Sequence, residues 1–349
     1  MSARSRTDDH ILWIGSYTAD LGGTGVGVLR IVVKPAAAMI IDSSRFRCDS
    51  PSFVAATPCG DVSYAVEEQT GLLRTFQLDP NGELECADAL FVGRQPCHIA
   101  VDPAGRFLVV SDWRDGDVTF VRLQENGVPR RGGVAQMPAV DQGARAHAAL
   151  ILDDAMIITT DPGLDRLRIW SFDVTGQPWE SGGLDLPTGS QPRHLTRDAK
   201  GRIHVLTEGS SEVLTLERVG PHDLALIASS SVRTQSGSQD LPSSLSTMTI
   251  DGDTVLHAAV RGSNVLATLR SDERGALITI DETATGGDEP RDHCLLDNWL
   301  YVANRRTDTV EVFELKNGIP SHAFAIPIDA PASVSAHLGP PRSPSQLSG

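Results

Sequence analysis

Cysteine is scarce in this 349-residue chain and shows no pattern. The five thiols (Cys48, Cys59, Cys86, Cys97 and Cys294) are odd in number and have no CxxC spacing. That disfavours a disulfide framework or a zinc ribbon and leads us to expect a reducing compartment, the cytoplasm by default. No apolar run of about 18 residues is present to span a membrane. The charged start MSARSRTDDH is not followed by a signal-type apolar core. Basic charge is also short: 30 Lys and Arg face 45 Asp and Glu, for a formal net charge of −15. Such a balance disfavours a nucleic-acid partner, whose affinity comes mostly from cation–phosphate contacts. A small anion stays compatible wherever arginines converge locally. Aromatics are 5% of the residues, which suits many thin strands packed through Val, Ile, Leu and Ala. The chain lacks HExxH, a GxSxG elbow, a P-loop and a GxGxxG leading into a helix, so the motif-borne hydrolase and nucleotide chemistries fall away and no cofactor is implied.

What the chain does have is repetition. Two apolar strands joined by a turn recur as PSFVAATPCGDVSYAVEE (51–68), PCHIAVDPAGRFLVVSDW (96–113) and RAHAALILDDAMIITTD (145–161). The unit returns as PRHLTRDAKGRIHVLTE (192–208), SSLSTMTIDGDTVLHAAVR (243–261) and PRDHCLLDNWLYVANR (290–305). A third strand follows each unit; in DVTFVRL (117–123) the side chains alternate with a period of two. A weaker fourth follows in most. Four antiparallel strands recurring roughly every 45–50 residues predict an all-β fold, a seven-bladed β-propeller. The opening copy, ILWIGSYT (11–18), lacks its first strand, which we label A, and PASVSAHL (331–338) has no blade of its own. The expectation is that 331–338 supplies that missing strand and closes the ring, removing an open edge. The propeller is expected over residues 10–338, with residues 1–9 and the Pro/Ser-rich tail 339–349 disordered. The polar stretch 231–244 reads as a long interblade loop.

Strands A and B of each unit are antiparallel, so A-starts and B-ends meet on one face of the ring. A-starts carry His98, His147, Arg193, His194, Arg291 and His293; B-ends carry Glu67, Glu68, Asp112, Asp161, Glu208, Arg261 and Arg305. The opposite turns hold ordinary turn residues. A ring of imidazole, guanidinium and carboxylate around a concavity is what a small-molecule site needs. The competing reading is that these groups tie blades together, since buried polar groups are normally hydrogen-bonded. Neighbours along a strand point to opposite faces, so at most one of Arg193 and His194 should enter the cavity, and one of Glu67 and Glu68 should face solvent. Several histidines on one face suit a transition metal, but no ligand spacing supports one, and none is expected.

The chain resembles the seven-bladed lactonase family, which includes propeller-type bacterial 6-phosphogluconolactonases and fungal carboxy-muconate cyclases. The resemblance runs from IGSYT (14–18) to about residue 315 and is carried by PCHIAVDPAGRF, the His147 segment, PRHL (192–195) and PRD (290–292). It implies a catalytic set of His147, Arg193, Glu208 and Arg261. His98, Asp161, His194 and Arg291 are the expected substrate-binding residues. Departures from the family pattern are Thr207 and Val260 where Asn is usual, Ala146 for Pro, and Asp112–Trp113 for Asn-Tyr. The implied reaction is metal-independent hydrolysis of a sugar lactone of the 6-phosphogluconolactone type in carbohydrate metabolism. Glu208 or His147 would act as base and Arg193 and Arg261 would hold the oxyanion or a substrate anion. The alternatives are cyclisation of a muconate-type diacid and a non-enzymatic binding platform. The expected partner is a small anionic lactone or sugar acid met by a monomer.

Overall fold

A computed structural model of the chain describes residues 9–338 except 58–59, 140, 154–155, 236, 238 and 273–275. The ends expected to be disordered therefore lie outside the described residues, apart from Asp9, which is buried. Seven four-stranded antiparallel sheets form a ring. Blade 1 has the spatial order Pro331–Leu338, His10–Ser16, Gly27–Lys34, Met39–Arg47. The closing strand pairs antiparallel with the first strand from His10↔Leu338 to Ser16↔Pro331. The innermost strands of blades 2 to 7 are Pro51–Ala56, Pro96–Val101, Ala149–Asp153, Pro192–Arg197, Leu241–Ile250 and Pro290–Leu296. Each packs against the next around the ring, and Pro290–Leu296 packs against Pro331–Leu338.

The B strands show why the sequence needed no aromatic core. Ser63–Glu67, Phe107–Asp112 and Met156–Asp161 are buried at every residue, because each blade lies sandwiched between two neighbours. The core is correspondingly interblade: Met156, Ile158, Leu167 and Ile169 of blade 4 pack on Ile203, Val205, Leu214 and Leu216 of blade 5. The seam between blades 7 and 1 joins Tyr301, Val310 and Val312 to Leu12, Ile14 and Val334. Outer strands such as Leu84–Phe91 alternate buried and exposed, as half-solvated sheet edges should. The loop after blade 5 is pinned, since Arg233 bonds Asp240 at 2.8 Å and Glu282 at 2.9 Å.

A recurrent irregularity positions the site. The A–B register slips just after a proline at the first or second position of five of these inner strands, between Pro51/Phe53, Pro96/His98, Pro192/His194, Pro242/Ser244 and Pro290/Asp292. Blade 1 slips equivalently, pairing Ser16 with Pro331 and Gly15 with Ser333. One residue per strand is thus bulged out of the ladder: Ala332, Ser52, Cys97, Arg193, Ser243 and Arg291. A bulge re-aims its side chain. In blade 4 the matching residue is His147, whose N–H donates to the Thr160 carbonyl at 3.0 Å.

Candidate active site

Six of those seven positions, Ala332, Ser52, Cys97, His147, Arg193 and Arg291, line one small cavity at the A-start end of the ring. Phe53, His194 and Asp292, each one residue further along, line it too. The remaining walls are Tyr17 and Glu68, which directly follow B strands. Arg193 and His194 therefore both face the cavity, contrary to the strict alternation expected of them, because the bulge breaks the period of two. Glu67 is fully buried against Arg74 and Thr70, while Glu68 is half-buried and accepts the Tyr17 hydroxyl at 3.2 Å.

The four residues expected to be catalytic fall into two groups. His147 and Arg193 line the cavity. Glu208 and Arg261 do not line it themselves but extend from Arg193: Glu208 Oε2 lies 2.9 Å from Arg193 Nε and 2.9 Å from Arg261 Nη2. Burial pushes the Arg193 guanidinium down to about 10, with the neighbouring Arg261 adding to this and Glu208 opposing it. A guanidinium stays charged at neutral pH regardless, so the direction reports a cation with incomplete compensation. Burial also holds His147 well below the usual imidazole range, and Arg193 acts in the same sense. Its Nδ1 has no hydrogen-bond partner among the described residues, and Trp113 packs edge-on against its ring at 5.8 Å. The ring is therefore neutral at pH 7, with one nitrogen unpaired and its basicity lowered by burial.

The expected binding residues divide as well. His194 and Arg291 reach the cavity. Arg291 stacks over the Tyr17 ring at 5.1 Å, beside Arg305 at 4.4 Å, and both arginines pair with Glu289. His98 is not among the lining residues: it packs on Phe53 and His194, and its Nδ1 accepts the Ala149 N–H of the next blade. Asp161 is not among them either. Its Oδ1 accepts the N–H groups of Arg145 and Leu164, and it lines a separate groove with Arg166, Arg168 and Glu180. The reason lies in the register. Asp161 occupies the B-strand position that opposes the strand-opening proline, like Glu67, Asp112 and Thr207. The positions that reach the site region come one residue later: Tyr17, Glu68, Glu208, Arg261 and Arg305. In blade 4 that place is held by Pro162.

Sequence reasoning missed Tyr17, Cys97 and Asp292 as cavity residues. The signal was available in the second position of each Pro-x opening and in the residue after each B strand. Cys97 is a structural thiol: burial raises it well above its ordinary range, and its Sγ lies 3.5 Å from the Ala146 carbonyl oxygen and 3.6 Å from that of Ser111. A broader groove elsewhere, between the outer parts of blades 3 and 4, is floored by Phe107, Phe120 and Phe172. Its Arg106 and Arg122 are engaged by Asp102 and the Gly176 carbonyl, and no carboxylate or imidazole lines it.

Burial of these imidazoles makes the fold acid-sensitive. Burial pushes His98 to about 3, with Arg193 adding to it, and His293 to about 3, with His257 and His194 adding to it. It pushes His257 to about 4, against the Gly318 carbonyl. Below the unfolded value of about 6.5 the unfolded chain takes protons that the fold refuses, so stability falls as pH drops, by roughly 1.4 kcal/mol per unit for each such group. Asp292, raised to about 7 by burial, runs the other way, binding a proton in the fold before the unfolded chain does. Three histidines against one carboxyl give a net loss of about 3 kcal/mol between pH 7.5 and 5. Thermal unfolding followed by circular dichroism should show the melting temperature falling by several degrees over that range, and a flat profile would contradict the burial assigned to these rings.

Seven four-stranded blades thus close into a ring, with an Arg–Glu–Arg chain reaching a cavity that His147 also lines. The chain belongs to the seven-bladed β-propeller lactonase family, whose model matches residues 11–334. It is similar to the 6-phosphogluconolactonase of Bacillus subtilis (strain 168), at 24% identity over 87% of this chain and 91% of that protein. The 6-phosphogluconolactonase of Formosa agariphila is likewise 24% identical, over 86% of this chain and 91% of its own length. Among solved structures, the periplasmic gluconolactonase of Pseudomonas aeruginosa superposes with a TM-score of 0.84 at 20% identity, covering 95% of this chain and 100% of that one. Among the described residues no helix is long and apolar enough to cross a membrane.

Proposed function

We propose that this propeller hydrolyses a sugar lactone, with an anionic aldonolactone of the 6-phosphogluconolactone type as substrate. The observation that carries the reading is the carboxylate of Glu208 held between Arg193 and Arg261 at 2.9 Å each, next to a neutral His147 with an open Nδ1. In this scheme His147 takes a proton from water as the water attacks the ring carbonyl, and Arg193 stabilises the oxyanion that develops. Glu208 already accepts from two guanidiniums, which suits it to orienting them better than to abstracting a proton. The cationic rim supports an anionic substrate: Arg193, Arg261, Arg291 and Arg305 are balanced by Glu208, Glu289 and Glu68, in a chain that is otherwise strongly acidic. Activated esters such as aldonolactones need only moderate help, and general base plus oxyanion stabilisation supplies about 10²–10⁴-fold and 10²–10³-fold respectively. The chain should therefore open 6-phosphogluconolactone, and more weakly glucono-δ-lactone, well above the buffer rate, with a carboxy-muconate unchanged. Lactone loss no faster than in buffer would refute hydrolysis, and consumption of the muconate instead would point to the cyclase direction.

A further inference from the structure

We propose that Asp292, whose carboxyl lines the cavity, is the proton donor of this reaction and gives its proton to the departing ring oxygen. The inference rests on the lactone-hydrolysis reading and adds a second acid beside His147. Breaking the ring C–O bond leaves an alkoxide, and an alkoxide is a poor leaving group unless protonated as it departs. After the attack His147 is an imidazolium; a carboxyl on the same cavity wall is a second acid, in place before the attack.

Several of the cavity's other titratable groups are engaged elsewhere or poorly matched to the task. Tyr17 donates its hydroxyl to Glu68, and burial pushes its phenol up to about 12. The Cys97 thiol sits against backbone carbonyls and is raised well beyond its usual range. Glu68 and Glu208 are already acceptors, of the Tyr17 hydroxyl and of two guanidiniums. Burial keeps His194, like His147, well below the usual imidazole range.

Asp292 differs from all of these. It is 6% exposed, lines the cavity, and spends Oδ2 on the Val334 N–H of the closing strand at 3.1 Å. Among the described residues no ion pair engages the carboxyl, although Arg193 and Arg291 line the same cavity. Burial raises it to about 7; the Val334 and His293 amides and the two arginines oppose that shift without cancelling it. Its strand neighbour Cys294 is buried and stays a thiol.

The Val334 contact alone would make Asp292 a tie between blades. Ser333 and His98 make the corresponding tie as neutral groups, accepting the N–H of Val54 and of Ala149. The tie therefore does not require a carboxyl. The cycle closes in protons: water gives one to His147 and its oxygen bonds the carbonyl carbon, and the oxyanion then collapses. The C–O bond breaks, Asp292 protonates the leaving oxygen, and the imidazolium returns a proton to the Asp292 carboxylate through solvent.

Asp292→Asn tests this, because the amide oxygen can still accept the Val334 N–H. With glucono-δ-lactone, wild-type kcat/KM should fall as pH rises through about 7. D292N should lose that alkaline limb and be slower by about 10²–10⁴-fold at pH 6.5, with an unchanged melting temperature. With 3,4-dihydrocoumarin, whose phenol leaves without assistance, D292N should lose less than about tenfold. A merely structural Asp292 would impair both substrates alike, and that result overturns the proposal, as does a D292N enzyme that keeps the limb. If the wild type opens no lactone, hydrolysis itself fails; if it does and D292N matches it, only the assignment of Asp292 fails.

Discussion

Replacing Arg193 with Met should lower kcat/KM for lactone opening by at least about 10²–10³-fold, the size of one lost oxyanion donor, while the melting temperature stays within a few degrees. The fold tolerates the change because Glu208 keeps its 2.9 Å contact to Arg261 and Met fills much of the vacated volume. Arg193→Lys should be nearly as damaging, since a single ammonium cannot hold Glu208 and reach the substrate with the fixed geometry of a guanidinium fork. Steady-state kinetics on phosphorylated and unphosphorylated gluconolactone separate two roles. Oxyanion stabilisation lowers kcat for both substrates, whereas a phosphate clamp raises KM for the phosphorylated one alone. Wild-type kinetics in Arg193→Met would remove Arg193 from the chemistry altogether.

Deleting residues 331–338 should abolish the folded monomer. That strand buries Ala332 and Val334 and pairs along the whole of His10–Ser16. Through Ser333 and Val334 it also bonds both neighbouring blades, to the Val54 N–H and to Asp292. Two buried side chains at about 1.5–3 kcal/mol and a row of hydrogen bonds at about 1 kcal/mol each approach 10 kcal/mol. The whole stability of a domain is typically about 5–15 kcal/mol. Size-exclusion chromatography and circular dichroism should show aggregated or weakly structured protein, and adding a peptide of the deleted sequence should restore part of the native signal. A truncated monomer melting like the intact chain would contradict closure by this strand.

The blades were legible because they repeat: a two-residue alternation and a turn seen once are ambiguous, but seen along the whole chain they define a ring. Closure was legible for the same reason, since one unit lacked a strand and one strand lacked a unit. The site was legible only to within a residue. His147, Arg193 and Arg291 could be placed on the correct face, yet Asp161 was grouped with Glu208 although it stands one position earlier in its unit. Strand alternation gives no warning of a bulge: by alternation Arg193 and His194 should not both enter the cavity, although His194 is among the expected substrate-binding residues, and Asp292 is not singled out. His98 could not be told from a ligand-facing histidine, because the contact that occupies it comes from Ala149 in another blade.

The slipped register has a consequence for how this architecture changes its chemistry. At every opening but that of blade 4 a proline fixes the backbone, and in several blades the second residue beyond it holds the adjacent blade. The intervening side chain is therefore free to vary without disturbing either. Ser52, Cys97 and Arg291 occupy places equivalent to those of His147 and Arg193 in separate units, so exchanging one of these three should alter selectivity as independently as changing a single tumbler in a lock. A small library confined to these bulged positions would explore new substrates while leaving the ring intact.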